Sequence, residues 1–209
     1  MEETLDWKAA CAQLSRADPL IGALIRRYPG ERLEASPDCF RTLANAIVGQ
    51  QISVRAAEAI WRRLLAACEP FSPASVAAAD DGTLRAAGLS LRKVDYLRGI
   101  GEAFGSGRVS SELLRGLDDR AALDALDVLH GVGRWTAEMV LIFHLTRPDL
   151  LPTGDIGLLR IAAATFGWKP DDPKAAAKKL LARAERWRPW RTVACWYLWR
   201  DLDPEPVIY

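Results

Sequence analysis

Residues 126–160 read LDVLHGVGRWTAEMVLIFHLTRPDLLPTGDIGLLR. The pattern predicts a helix, a very tight hairpin at Gly131-Val132-Gly133, and a second helix over 133–145. Two glycines flanking one apolar residue allow backbone conformations that a side chain forbids. Leu126, Leu129, Val132, Val140, Leu141 and Phe143 supply the apolar surface that holds the two helices together. The second helix starts with N–H groups aimed outward from the turn, which is a ready-made phosphate site. On it, Trp135 and Met139 stand four apart and share a face. An irregular loop ending in Pro152-Thr153-Gly154 then delivers Asp155 to the start of a further helix, marked by Ile156, Leu158, Leu159 and Ile161. Asp155 has two readings: a helix N-cap, the ordinary role of aspartate at such a position, or an acid presented for chemistry.

Outward from this stretch, caps and helical spacing predict ten or so short helices. Residues 5–27 are helical with a break near Asp18-Pro19. Ser36-Pro37 reads as a capping serine followed by proline in the first turn of helix 37–50. That helix buries Phe40, Leu43, Ile47 and Val48 and ends in Gly49-Gln50-Gln51. Ser53 caps the next, whose apolar side is Val54, Ala57, Ile60, Trp61 and Leu64. Two short helices fit 72–88, and another starts at Leu91 with Val94, Leu97 and Ile100 inward. Further helices are expected near 111–116, 119–129, 155–166, 173–186 and 189–201, the last begun by Pro189. No alternating run of β-branched residues occurs, so the expected fold class is all-α. The tail Asp203-Pro204-Glu205-Pro206 is expected to fray.

A chain of 209 residues suits one large domain or two small ones. The formal net charge is +1, so any basic surface must be local. No apolar run approaches the roughly 18 residues of a membrane span. The N-terminus MEETLDWKAA lacks the basic-then-apolar pattern of a signal peptide, and a cytoplasmic protein is expected. Cys11, Cys39, Cys68 and Cys195 form no close pair, so neither zinc nor an iron–sulfur cluster is expected.

Two polar groups stand out. Gln50 and Gln51 lie between amphipathic helices, where they either cap backbone groups or extend a flexible finger into a partner. Near the C-terminus, Lys174, Lys178, Lys179, Arg183, Arg186, Arg188 and Arg191 face only Glu185, with Trp187, Trp190, Trp196, Tyr197 and Trp199 interleaved. A charge run is usually a solvated face and a tryptophan usually core, whereas the two together also suit nucleic acid.

The block Leu129-His130-Gly131-Val132-Gly133-Arg134-Trp135-Thr136-Ala137, followed by a Gly/Pro loop and Asp155, resembles the helix–hairpin–helix (HhH-GPD) DNA glycosylase superfamily. More narrowly it is similar to the 3-methyladenine DNA glycosylase II (AlkA-type) branch. Four other blocks agree: residues 46–53 (AIVGQQIS), Gly88-Leu89-Ser90 with Arg92-Lys93, Arg147-Pro148-Asp149, and Trp187-Arg188-Pro189-Trp190-Arg191. Together they cover roughly 36–200.

The resemblance implies a two-lobed helical fold with a cleft between lobes, about 36–130 in one and 1–35 plus 131–209 in the other. The β-rich N-terminal domain of the best-known bacterial members is not expected. It also implies DNA-backbone contacts from Gly131, Val132, Gly133, Arg134 and Thr136, and an intercalating side chain at Gln51. Asp155 would be catalytic. Trp135 and Trp199 would line the base pocket, with Met139 and Ile156 where some members have tyrosines. Backbone carbonyls of Leu129 and Val132 would hold a monovalent cation, Na+ or K+, with no other cofactor. The implied partner is damaged double-stranded DNA, met by a monomer, at the nucleoid if the cell is bacterial. The implied reaction is hydrolytic release of alkylated bases such as 3-methyladenine and 7-methylguanine.

An alkylated purine carries positive charge and leaves as a neutral base, so little acid help is needed. A carboxylate beside the sugar stabilises the developing oxocarbenium charge. Indoles favour a cationic base by roughly 0.5–2 kcal/mol each. Two rivals remain. A non-catalytic hairpin DNA binder has no use for an acid after the hairpin. An oxidised-base glycosylase/lyase needs a lysine nucleophile in the second hairpin helix. The resemblance puts Trp135 at that position, and no lysine lies between Lys93 and Lys169.

Overall fold

Side-chain caps start almost every element of the chain. The structure is a computed structural model that describes residues 5–169 and 172–202. Among the described residues there are thirteen α-helices, one 3-10 turn and no strand, as the patterning predicts. No helix there is long and apolar enough to cross a membrane. The expected fraying of 203–206 lies outside the described residues.

The chain divides into two compact units. Ser36–Leu145 forms one, and the described residues of Met1–Ala35 and Thr146–Ile208 form the other. The expected boundary at 130/131 falls inside the first of these. The reason is packing: the second hairpin helix lies against helices that precede it in the same unit.

The continuous unit holds α3 (Cys39–Gly49), α4 (Val54–Ala67), α5 (Pro73–Ala78), α6 (Asp81–Ala86), α7 (Leu91–Gly105), α8 (Ser111–Arg115), α9 (Asp119–Asp127) and α10 (Arg134–Phe143). Ser53, Ser72, Asp80, Ser90, Ser110 and Asp118 each accept a backbone N–H from the first turn they start. Each such cap stabilises its helix by about 1 kcal/mol. Helix α10 is buried from Thr136 to Phe143 and packs on α3 and α9. Phe40, Phe71, Phe104 and Trp61 form an aromatic cluster with ring centroids 5.1–5.5 Å apart.

Two expectations change here. Helix α3 starts at Asp38, whose Oδ1 accepts the Arg41 amide at 3.0 Å, not at Ser36-Pro37. Ser36 is engaged elsewhere. Its N–H donates to the Phe143 carbonyl at 2.7 Å, and its own carbonyl meets His144 Nδ1 at 2.7 Å. A carbonyl only accepts, so Nδ1 carries the proton and Nε2 accepts from the Ser111 hydroxyl at 2.9 Å. In α4, Leu64 is buried while Val54 is exposed, so the apolar face is narrower than its spacing suggests.

The discontinuous unit holds α1 (Trp7–Ala17), α2 (Pro19–Arg27), α11 (Ile156–Thr165), α12 (Pro173–Ala184), the 3-10 turn Glu185–Trp187 and α13 (Arg191–Leu202). The last helix starts after Pro189 because the residues before it are used by the 3-10 turn, closed by the Arg188 amide on the Glu185 carbonyl at 3.5 Å, and by a further turn from the Trp190 amide to the Trp187 carbonyl at 2.7 Å. Asp18 is fully buried at the α1–α2 junction. It accepts Arg183 Nε and Nη2 at 2.8 and 2.7 Å and Trp187 Nε1 at 2.9 Å. Burial pushes the Asp18 carboxyl up, but these bonds and the Leu20 amide outweigh it and hold the group below the usual carboxylate range.

Candidate functional site

The hairpin is shaped by one aromatic side chain. Gly131 has φ +82°, and a Cβ there would lie 2.1 Å from Cγ of Tyr96, so no other residue fits. The Tyr96 ring also meets His130 edge-on at 4.9 Å. The Val132 amide closes the turn on the Leu129 carbonyl at 3.0 Å. Leu126, Leu129, Val132, Val140, Leu141 and Phe143 are all buried, as expected. Gly133 starts α10 with no side chain to cap it, and the first helical bond is from Ala137 N–H to the Gly133 carbonyl at 3.0 Å. The amides of Arg134 and Thr136 lie ahead of that bond, at the positive end of the helix. Arg134 is exposed and its Nε bonds Glu138 at 3.0 Å, which fixes where the guanidinium stands.

Thr136 is held in place by its side chain. Its side chain is buried, and its hydroxyl accepts Gln50 Nε2 at 2.9 Å. Any contact with a ligand would therefore use its amide. Met139 is 1% exposed, so it is packed inside rather than presented as a pocket wall. Trp135, on the same face of α10, is half-buried.

The two glutamines part company. Gln50 points inward, its Nε2 donating to the Gly131 carbonyl as well as to Thr136, both at 2.9 Å. Gln51 is exposed and holds a left-handed backbone, φ +58°, unusual for a residue with a side chain. One is a cap, the other a presented side chain.

In the discontinuous unit, Asp155 is the N-cap of α11, its Oδ1 accepting the Leu158 amide at 2.6 Å. Ile156 beside it is 52% exposed. Helix α11 packs along α13, which carries Trp199. Gly157 permits the approach: a Cβ there would lie 3.1 Å from Asp155 Oδ1 and 3.2 Å from Cδ2 of Leu202, one turn on from Trp199. Trp199 keeps 7% of its surface accessible.

The loop that ends in Asp155 is tied to the start of α13. Thr192, fully buried, donates its hydroxyl to the Arg147 carbonyl at 2.6 Å and accepts the Leu150 amide at 3.0 Å. Its own amide reaches the Pro148 carbonyl at 3.0 Å. Asp149 accepts Arg191 Nε at 2.6 Å and Arg188 Nη1 at 2.5 Å. Sequence reasoning missed Thr192. The Arg147-Pro148-Asp149 and Trp187–Arg191 blocks flanked the interaction, but nothing in either says that they meet.

The basic cluster is smaller than its sequence suggests. Arg183 is committed to Asp18, and Arg188 and Arg191 to Asp149. Lys174, Lys178, Lys179 and Arg186 remain exposed on the surface. Trp187 and Trp196 are core, and Trp196 stacks edge-on with Trp7 at 5.3 Å.

Hairpin and acid are both covered by comparison with known proteins. Residues 44–188 match the family described as HhH-GPD superfamily base excision DNA repair protein. The chain is 32% identical over 182 residues to DNA-3-methyladenine glycosylase 1 of Schizosaccharomyces pombe, spanning 85% of this chain and 78% of that protein. It is 27% identical over 202 residues to a DNA-3-methyladenine glycosylase of Bacillus subtilis, spanning 91% of this chain and 66% of that one. Among solved structures, it is similar to the Schizosaccharomyces pombe 3-methyladenine DNA glycosylase in complex with abasic DNA. There the TM-score is 0.82 at 29% identity, covering 92% of this chain and 95% of the other. It is also similar to a DNA-3-methyladenine glycosidase from Bacillus halodurans, with TM-score 0.75, 33% identity and coverage of 92% and 88%. A glycine hairpin moulded on Tyr96, an acid capping the helix that follows, and a family match that runs through both lead to one conclusion: the chain belongs to the HhH-GPD superfamily of base excision DNA repair proteins.

Proposed function

We propose that this protein is a monofunctional DNA glycosylase that hydrolyses the N-glycosidic bond of alkylated bases, 3-methyladenine and 7-methylguanine among them, in damaged double-stranded DNA. The observation that carries the proposal is Asp155, set at a helix start by a loop that Thr192 and Asp149 tie down. The names of the relatives, DNA-3-methyladenine glycosylases, support the substrate class. In the reaction, the carbon–nitrogen bond breaks and its electron pair neutralises the cationic base. The Asp155 carboxylate faces the oxocarbenium-like sugar, and water completes the sugar and gives up a proton.

Of the side chains this reading assigns to the flipped base, Trp135 is half-buried, Ile156 is exposed and Trp199 keeps 7% of its surface accessible. Gln51 fills the gap left by the flipped base, and the hairpin takes the backbone phosphate. Trp135 in place of a lysine supports hydrolysis without strand cleavage. The hairpin offers neutral backbone oxygens, and the Leu129 carbonyl keeps a second lone pair beyond the Val132 amide, which fits a hard monovalent cation. That ion would neutralise phosphate charge at the turn. The cysteines Cys11, Cys39, Cys68 and Cys195 stand far apart in sequence with no close pair, which supports a protein without zinc or an iron–sulfur cluster. We place the enzyme as a monomer in the cytoplasm, with the nucleoid if the cell is bacterial. The deciding experiment incubates the protein with methylated DNA and separates released bases by chromatography. 3-Methyladenine and 7-methylguanine are expected, and no free base at any enzyme concentration would refute the proposal.

A further inference from the structure

Helix α7 carries two side chains that do not belong to its own core. Lys93 and Tyr96 stand three apart, on neighbouring turns of one face. Tyr96 shapes the hairpin through Gly131. Lys93 reaches the other way: its Nζ donates to the Val48 carbonyl at 2.6 Å and the Gln50 carbonyl at 2.9 Å. These are carbonyls at the C-terminal end of α3, where intrahelical donors have run out and a cation is favoured. The next residue is Gln51 at φ +58°. A non-glycine residue in that region is strained and stays there only when its surroundings hold it.

We propose that Lys93 is a positioning residue: it clamps the end of α3 so that Gln51 is held, left-handed and exposed, at a fixed distance from the hairpin. The inference rests on the reading of Gln51 as the side chain that enters the DNA stack. Gln50 closes the arrangement from the opposite side, joining the same turn to the Gly131 carbonyl and the Thr136 hydroxyl. The finger turn and the phosphate turn are thereby referred to one helix, with Lys93 on the first and Tyr96 on the second. Burial lowers the Lys93 pKa from the usual lysine value.

The test uses the full chain and a duplex carrying 2-aminopurine beside a tetrahydrofuran abasic site, a probe that needs no excision. Lys93→Met is expected to lose at least half of the fluorescence change on binding and about tenfold in kcat on methylated DNA. Its Kd for undamaged duplex should stay within about twofold, and its slope of log K against log salt should not change. Lys93→Arg, which still donates to the carbonyls, is expected to recover most of the signal. A full fluorescence change in Lys93→Met would overturn the proposal. A salt slope reduced by about one would do so too, by making Lys93 a phosphate contact. If the methionine variant does not fold, Lys93→Gln replaces it, with the same loss expected and a full response equally fatal. A wild type that gives the fluorescence change but releases no alkylated base leaves the role of Lys93 intact and removes only the proposed reaction.

Discussion

The Oδ1 of Asp155 accepts the Leu158 amide at 2.6 Å, so the carboxylate proposed for chemistry is also the cap that starts α11. The two roles separate on substitution. Asparagine caps about as well as aspartate, so Asp155→Asn should melt like wild type. Loss of the charge facing an oxocarbenium-like transition state should lower the rate on the order of 10²–10³-fold. Single-turnover release of 3-methyladenine measures it, and a wild-type rate would leave Asp155 as a cap alone.

Thr192 makes a second, subtler point of attack. Thr192→Val keeps the shape and removes the hydroxyl that the Arg147 carbonyl and Leu150 amide share. A buried donor without a partner costs about 1–3 kcal/mol. The loop to Asp155 should loosen, with kcat falling about tenfold and KM little changed, while Thr192→Ser restores both. Equal activity of the valine and serine variants would show that the loop holds its shape without this bond.

Trp135 and Trp199 call for different substitutions. Trp135 is half-buried, so Trp135→Ala should weaken excision of a cationic base more than binding to undamaged duplex. Trp199 is 7% exposed, and truncation to alanine would cost about 3–5 kcal/mol of stability. Trp199→Phe keeps most of the volume with less electron density at the ring face. A drop in the 3-methyladenine rate without a drop in melting temperature is expected, and equal losses in excision and duplex binding would mark either residue as scaffold.

How much of this was legible in the sequence follows from distance along the chain. Caps are local, so Ser53, Ser72, Asp80, Ser90 and Asp155 were readable from a few neighbours. The tight hairpin was readable for the same reason. Ser36 misled because its backbone groups are claimed by Phe143 and His144, far along the sequence, which leaves Asp38 to start α3. The basic cluster misled in the same way, since the acids that absorb Arg183, Arg188 and Arg191 are Asp18 and Asp149. Gln50 and Gln51 are adjacent and chemically identical. Only a backbone angle, absent from any sequence pattern, turns one inward and the other out.

His144 gives a pH signature. Burial is the main cause that lowers its pKa from 6.5, against the bond to the Ser36 carbonyl. Below about 6.5 the unfolded chain then binds a proton that the folded one resists. Stability from this residue is fully present above that pH and is lost as pH falls toward the folded value. Urea midpoints measured across this range should decline in wild type and flatten in His144→Gln. A wild-type midpoint independent of pH there would contradict the assignment of a neutral ring.

Asp18 joins Arg183 and Trp187, and Trp7 donates its indole N–H to the Tyr197 hydroxyl at 3.2 Å, so the first two helices find their partners only near the other end of the chain. During synthesis this sets an order. Ser36–Leu145 leaves the ribosome as one uninterrupted run and has its partners at once, including both hairpin helices. Helices α1 and α2 emerge before that run yet wait longer than it does, since Asp18 and Trp7 meet their partners only when Arg183, Trp187 and Tyr197 have been made. The hairpin turn is thus assembled early on the nascent chain, and the segment that presents Asp155 is settled only once Arg191 and Thr192 have been made.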